Sequence, residues 1–335
     1  MVNNNKQLIA LAVVLVLVVG ILVVMRLNRS GDDEKLYEQF FAMDTVMDIT
    51  LYKTDKTDEK LSDIMTEMRD RIYQMEAELS VTKKDSDVSK LNAAKGAAVK
   101  VSEDTYYLLS SAIKVADETE GRFDPTIYPI VKLWGFTTGK NRVPSDDEIK
   151  NELKKVDYKQ VYVSEDHNVS MRGDAQIDLG ACAKGYLSDE LCEIMQANNV
   201  NGIVSLGGNV QSVGTKPDGT DFTVGIADPK DPSSVYEKIV ARNNAVVTSG
   251  NYERYFEQDG KRYHHIMDPK TGAPADNGLA SVTVVGPNGL LCDAYATAFF
   301  VMGEERSKAV LEKNPFYKAA FIYEDGHDSG FDKLK

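Results

Sequence analysis

QIDLGACAKGYLSDEL, residues 176–191, is the stretch whose reading decides the fold. Asp178 follows an apolar, strand-like position, Gly180 permits a tight turn, and Lys184 and Gly185 open an amphipathic helix expected over 182–198. A chain that turns from extended to helical in this way aims the unpaired N–H groups of the helix start, together with Lys184, at one spot. Phosphate oxygens suit that spot, because they accept hydrogen bonds and carry the charge a helix N-terminus favours. The GxxxxGK[ST] pattern is absent, so this is not a Walker loop. Taken alone, the stretch fits a capped helix start as well as a ligand site.

Outward from it, strands are expected around 158–172, 203–213, 221–227, 238–248, 253–268, 280–286 and 318–323, with a second long helix over 291–312. Asp166-His167-Asn168 and Asp259-Gly260 read as hairpin turns, because Asn, Asp and Gly tolerate the backbone such turns need. Toward the N-terminus, FAMDTVMDITLY (41–52) alternates like a strand. From Thr57 a helix is signalled by Leu61, Ile64, Met65, Met68, Ile72, Met75 and Leu79 at helical spacing, and this Met-rich stripe reads as core. Another helix is expected from Ser102 to about Glu120, and a third behind the capping box of Ser145 and Glu148. No repeat and no Pro/Gly-rich linker divides the body. The expectation is therefore an α+β protein: a single mixed α/β domain over residues 39–335, preceded by one transmembrane helix.

That helix is Leu8–Met25, an uninterrupted run of 18 apolar or Gly residues followed by Arg26, Leu27, Asn28 and Arg29. At about 1.5 Å per residue it spans roughly 27 Å, close to the ~30 Å hydrocarbon thickness. The exit, RLNRSGDDEK, contains no small-x-small cleavage site, and the first cysteine is Cys182, which excludes lipoprotein processing. Residues 1–29 are thus read as an uncleaved membrane anchor and 30–38 as a polar linker. Flanking charge does not orient it, since Lys6 precedes the span while Arg26, Arg29 and Lys35 follow it. The composition, 42% apolar and 27% charged over 335 residues, is that of a globular protein with a large core. The formal charge of −13 argues against a nucleic-acid surface and against anionic lipid binding by the folded body. Cys182, Cys192 and Cys292 cannot all pair and show no metal spacing, so they read as buried thiols.

Two more clusters carry chemistry. Asp293 and Thr297 share one helix face and offer hard oxygens of the kind Mg²⁺ accepts, although by itself the pair reads first as an N-cap Asp with a back-bonding Thr. In GKRYHHIMDPKTGAP (260–274), His264 and His265 face opposite ways on a strand, so one can enter a site as general base while the other does not. SLGGNV (205–210), TSGNY (248–252) and GRFDPTIYPIVKLWGF (121–136) add Gly-rich turns and the sole Trp, Trp134.

Taken in order with ELSVTKKDSDVSKLN (78–92) and DAYATAFFVMG (293–303), these segments resemble the FAD:protein FMN transferases of the ApbE family, from about Phe41 to Ala320. The resemblance implies an FAD site lined by Met43, Thr82, Arg122, Phe123, Asp124, Asp178, Lys184 and Met267. It implies Mg²⁺ held by the side chains of Asp293 and Thr297 with backbone oxygens of Ala181 and Ala296, and His265 as catalytic base. The implied reaction is transfer of FMN from FAD to a Ser or Thr hydroxyl of an acceptor flavoprotein bearing a DGxTGAT-like segment, with release of AMP. The catalytic domain would lie on the extracytoplasmic side of the cell membrane. No DGxTGAT-like segment occurs in this chain, so it is not expected to be its own acceptor. One position departs from the family: Thr82 stands where an aromatic commonly covers the flavin. Losing that face would loosen FAD by about 1 kcal/mol and admit water. Two alternatives stay open on this evidence, an FAD pyrophosphatase yielding FMN and AMP, and a non-catalytic flavin-binding protein.

Overall fold

The computed structural model describes residues 34–334. The expected anchor over Leu8–Met25 lies outside them, and among the described residues no helix is long and apolar enough to cross a membrane. In chain order, strands β1 (Lys35–Ala42) and β2 (Thr45–Tyr52) precede helices α1 (Leu61–Leu79) and α2 (Asp87–Ala93). Strand β3 (Val99–Lys100) leads to α3 (Glu103–Glu118), α4 (Tyr128–Leu133) and α5 (Asp146–Leu153), then β4 (Val161–Val163) and β5 (Asn168–Met171). Helix α6 (Ala183–Ala197) opens the second half, followed by β6 (Asn201–Leu206), β7 (Asn209–Val213), β8 (Phe222–Asp228), β9 (Asp231–Ala241) and β10 (Ala245–Gly250). Then come β11 (Tyr255–Gln258), β12 (Lys261–His264), β13 (Leu279–Gly286), α7 (Gly289–Met302) and α8 (Glu304–Lys313). The chain closes with β14 (Lys318–Tyr323), β15 (Asp328–Ser329) and α9 (Phe331–Leu334).

The frame is an eight-stranded sheet ordered β1-β2-β6-β7-β10-β13-β14-β15, with antiparallel neighbours throughout. Helices α1, α3, α6 and α7 cover one face, and the expected stripe of α1, Leu61 through Leu79, is wholly buried there. The ribbon β8–β9 covers part of the other face, packing Phe222, Val224, Ile226 and Ile239 on Val246, Val285, Ala320 and Ile322. Every residue of β13 is buried as a result, because it has protein on both faces. A satellite core gathers Ile130, Trp134, Phe136 and Met267, with the Trp134 indole N–H donating to the Gly272 carbonyl at 2.8 Å.

Several elements are shorter than their sequence pattern implies. The run 203–213 is two strands, because Gly207 and Gly208 take left-handed φ of 58° and 94° and reverse the chain. The run 291–312 is likewise two helices, broken at Gly303 (φ 77°). Residues 35–38, read as linker, are part of edge strand β1 and pair with β2. The approach to Asp178 is not a strand; Gln176 makes only an isolated bridge to Ile127. The Ser145–Glu148 capping box and the Asp259-Gly260 hairpin turn form as their residues predict.

Sheet register brings the informative turns to one end. Ala42 pairs Thr45 around Met43 and Asp44, Leu206 pairs Asn209 around the two glycines, and Val247 pairs Asn209 so that β10 also runs out at that end. Gly207 has no room for a side chain there, since a Cβ would lie 2.2 Å from the Thr45 hydroxyl oxygen.

Candidate active site

Helices α6 and α7 touch at their glycines. A Cβ on Gly185 would lie 2.2 Å from the Gly289 carbonyl oxygen and 2.6 Å from Asp293 Cβ, so only hydrogen fits. Asp189 locks the crossing by accepting from the N–H groups of Gly289 (2.6 Å) and Leu290 (2.9 Å). This contact sets Asp293, on α7, against the N-terminus of α6, where its Oδ2 accepts from the Gly185 N–H at 2.9 Å. Asp293 is buried. Burial raises its carboxyl above the ordinary range, while Lys184, the Gly185 N–H and Asn209 oppose that shift. One turn on, the Thr297 hydroxyl lies 3.3 Å from that of Ser249 at the end of β10. Ala296 is buried beside Thr297, and Ala181 stands just before the first residue of α6.

This donor set fits a hard cation. It combines one desolvated carboxylate with neutral hydroxyl oxygens, and the Asn209 amide stands beside that carboxylate. Among the described residues no group of three or more His, Cys, Asp and Glu is placed to hold a metal. A cation here would therefore rest on few protein ligands and take the remainder from substrate oxygens, as Mg²⁺ does at phosphates.

Lys184 sits in the first turn of α6 with Nζ 3.4 Å from the Gly180 carbonyl, and the Gly180 N–H donates to Asp178 Oδ1 at 2.8 Å. Burial raises the Asp178 carboxyl, opposed by that N–H, by Arg254 and by Lys184. Met43 adopts a left-handed φ of 48° in the β1–β2 turn, rare for a residue with a side chain, and its N–H donates to Glu76 Oε1 at 2.9 Å. Glu76 also pairs with Lys83, which joins the turn to the exposed loop carrying Thr82. The Thr82 hydroxyl is engaged with Ser80 at 3.0 Å.

The remaining expected FAD residues are held differently. Arg122 is ion-paired to Asp268 at 3.3 Å, and the Phe123 ring is in the main core. Asp124 is saturated by the Thr126 N–H (2.8 Å), the Thr126 hydroxyl (2.6 Å) and the Tyr158 N–H (3.1 Å). The Met267 side chain belongs to the Trp134 cluster. At Phe123, Asp124 and Met267 the side chains are thus committed to the fold, and contact with a ligand would fall to the main chain.

The two adjacent histidines part as strand alternation predicts. His264 is buried, with Nε2 3.0 Å from the Ala275 carbonyl and its ring edge-on to Phe300. His265 turns the other way. Its backbone N–H and its Nδ1 both reach the Arg254 carbonyl, at 3.0 and 3.2 Å. A carbonyl only accepts, so Nδ1 carries the hydrogen and Nε2 is left with a free lone pair. Enclosure first, then the Arg254 charge, pushes the His265 imidazole down to about 3. It is therefore an uncharged base at neutral pH.

Ser249, Asn209, Glu253 and Arg254 complete the cleft and were not singled out from sequence, although SLGGNV and TSGNY contain or adjoin them. Glu253 is open to solvent but crowded by protein, its Oε1 3.6 Å from where a Gly208 Cβ would be. That enclosure raises its carboxyl to about 7, with Lys184 opposing and Asp293 adding to the shift.

The profile of the ApbE family matches residues 43–321. A curated FAD:protein FMN transferase of Treponema pallidum is 38% identical over 272 residues, covering 76% of this chain and 75% of the relative. The FAD:protein FMN transferase of Vibrio cholerae is 35% identical over 257 residues, covering 75% and 77%. Among solved structures, the ApbE protein of Thermotoga maritima superposes with a TM-score of 0.83 at 34% identity, over 90% of this chain and 99% of that one. The flavin transferase ApbE of Vibrio cholerae gives 0.81 at 30% identity, over 90% and 99%.

Proposed function

The chain belongs to the ApbE family and is an FAD:protein FMN transferase, and on that premise we propose that it moves FMN to a Ser or Thr hydroxyl of an acceptor protein, releases AMP, and does so outside the cytoplasm with Mg²⁺ bound. The observation that carries the chemistry is His265, whose Nδ1 is taken up by the Arg254 carbonyl, leaving Nε2 as the basic nitrogen, and which shares the Lys184 charge with Asp293.

In this reading Nε2 takes the proton of the acceptor hydroxyl. The hydroxyl oxygen forms a bond to the FMN phosphorus, the bond from that phosphorus to the bridging oxygen breaks, and AMP leaves with the bridging oxygen. Lys184 holds pyrophosphate oxygens through its ammonium, since the N–H groups of Cys182, Ala183 and Gly185 at the start of α6 are already given to Leu179 and Asp293. Asp293 and Thr297, with main-chain oxygens of Ala181 and Ala296, would hold Mg²⁺, which when bound neutralises pyrophosphate charge. Met43 and the Thr82 loop would border the flavin, with Arg122 and Asp178 on the opposite wall. An acceptor segment resembling DGxTGAT and a membrane anchor over residues 1–29 complete the proposal.

A peptide carrying that segment, incubated with FAD and MgCl₂, should gain the mass of an FMN phosphoester. Hydrolysis is the second reading, favoured by Thr82, whose hydroxyl is tied to Ser80 and offers no aromatic face. The same incubation without peptide separates the two, since rapid release of FMN and AMP at an undiminished rate would make water the preferred acceptor.

A further inference from the structure

We infer that Arg254 is the positioning residue of the proposed base: its carbonyl sets the tautomer of His265, and its guanidinium holds that carbonyl in place by tying together two walls of the cleft. The inference rests on the reading of His265 as base. The guanidinium donates to the Phe136 carbonyl at 3.1 Å and pairs with Asp44 Oδ2 at 3.4 Å. Phe136 lies beyond α4 and presents its ring edge-on to His265, with centroids 6.4 Å apart. Asp44 is in the β1–β2 turn beside Met43, so Arg254 joins the segment after β10 to both.

A peptide group in a loop turns readily unless its residue is held. Here the side chain supplies that hold, with one terminal nitrogen, Nη2, serving both the Phe136 carbonyl and Asp44. With the carbonyl fixed, the Nδ1 hydrogen has one acceptor and Nε2 stays free. The charge acts in the same sense. Enclosure disfavours the imidazolium, the charges of Arg254, His264 and Lys184 (from α6) disfavour it further, and the hydrogen bond to the Arg254 carbonyl opposes them. Asp44, Asp178 and Glu253 are the carboxylates that interact with Arg254.

Nitrogen NMR of the full chain in detergent micelles, labelled at its four histidines, reads tautomer and charge without turnover, with His265→Gln used for assignment. In the parent chain His265 should carry hydrogen at Nδ1 and be uncharged at pH 5. Arg254→Met should raise its midpoint by about one pH unit and mix the tautomers. Arg254→Lys, whose ammonium carries three N–H donors on one nitrogen, should restore both. An Arg254→Met chain with unchanged midpoint and tautomer overturns the inference, and so does an equal midpoint change in the Lys variant. If the Met variant lacks a folded amide spectrum, Arg254→Gln, which removes the charge but keeps an N–H, is read in its place against the same outcomes. Flavin transfer measured on His265→Gln keeps the two readings apart: undiminished transfer there overturns the base, whatever the NMR shows.

Discussion

Asp293 and His265 do opposite things, the first buried and the second half-buried. Asp293 is a carboxylate kept from water beside the Gly185 N–H, Asn209 and the Lys184 charge, so it is poised for a cation. Asp293→Ala should lower flavin transfer at least about 100-fold, and excess EDTA should do the same to the parent chain. Transfer that persists undiminished in EDTA would remove the metal from the account. His265→Gln should cost about 10²–10⁴-fold in kcat with FAD affinity little changed, since a proton acceptor acts in the transition state and not in ground-state binding. Its charge state also has a stability consequence. The folded imidazole titrates near 3, below its unfolded value of about 6.5, so between those values the unfolded chain binds more protons. Stability should therefore fall as pH drops from 6.5 toward 3. His265→Gln should lose less Tm between pH 7.5 and 5 than the parent, as a thermal melt at each pH would show. An equal loss in both would mean that His265 is not held neutral.

At the scale of elements, the hinge of the site is the contact of α6 with α7. Gly185→Ala would drive a methyl into the Gly289 carbonyl and the Asp293 Cβ, and a helix backbone cannot yield as a flexible side chain does. The expected cost is about 1–3 kcal/mol, measured by denaturant unfolding, together with loss of transfer because Asp293 moves. Wild-type stability in that variant would contradict the crossing. Elements were readable in the sequence wherever the signal is local. The α1 stripe, the Ser145 cap and the Asp259-Gly260 turn depend on spacing within a few residues, and each forms as expected. SLGGNV stands out as a Gly-rich turn, yet 203–213 reads as one strand and 291–312 as one helix, because hydrophobic periodicity does not register φ at Gly207, Gly208 and Gly303. The site was readable in part. Lys184, Asp293 and His265 lie in stretches that stand out locally, but Glu253 and Arg254 acquire roles only when β10 ends beside β12 and the Met43–Asp44 turn. Asp124 and Met267 read in sequence as lining residues alongside Asp178 and Lys184, and only packing shows that their side chains bond within the fold.

Across the whole molecule, one end of a single sheet collects the turns, the N-terminus of α6 and the face of α7 that carries Asp293. The chain carries a formal charge of −13 while the pyrophosphate is dianionic, so binding falls to Lys184 and a cation. FAD binding should accordingly weaken sharply when Lys184→Met is combined with removal of Mg²⁺, as titration of flavin fluorescence would report. The most direct test of the account is mass spectrometry of an acceptor peptide with a DGxTGAT-like segment after incubation with the full chain, FAD and MgCl₂. The account predicts a peptide heavier by one FMN phosphoester on its Ser or Thr, one AMP released per modification, and neither product with Asp293→Ala. An unmodified peptide beside accumulating free FMN and AMP, or beside intact FAD, would contradict it.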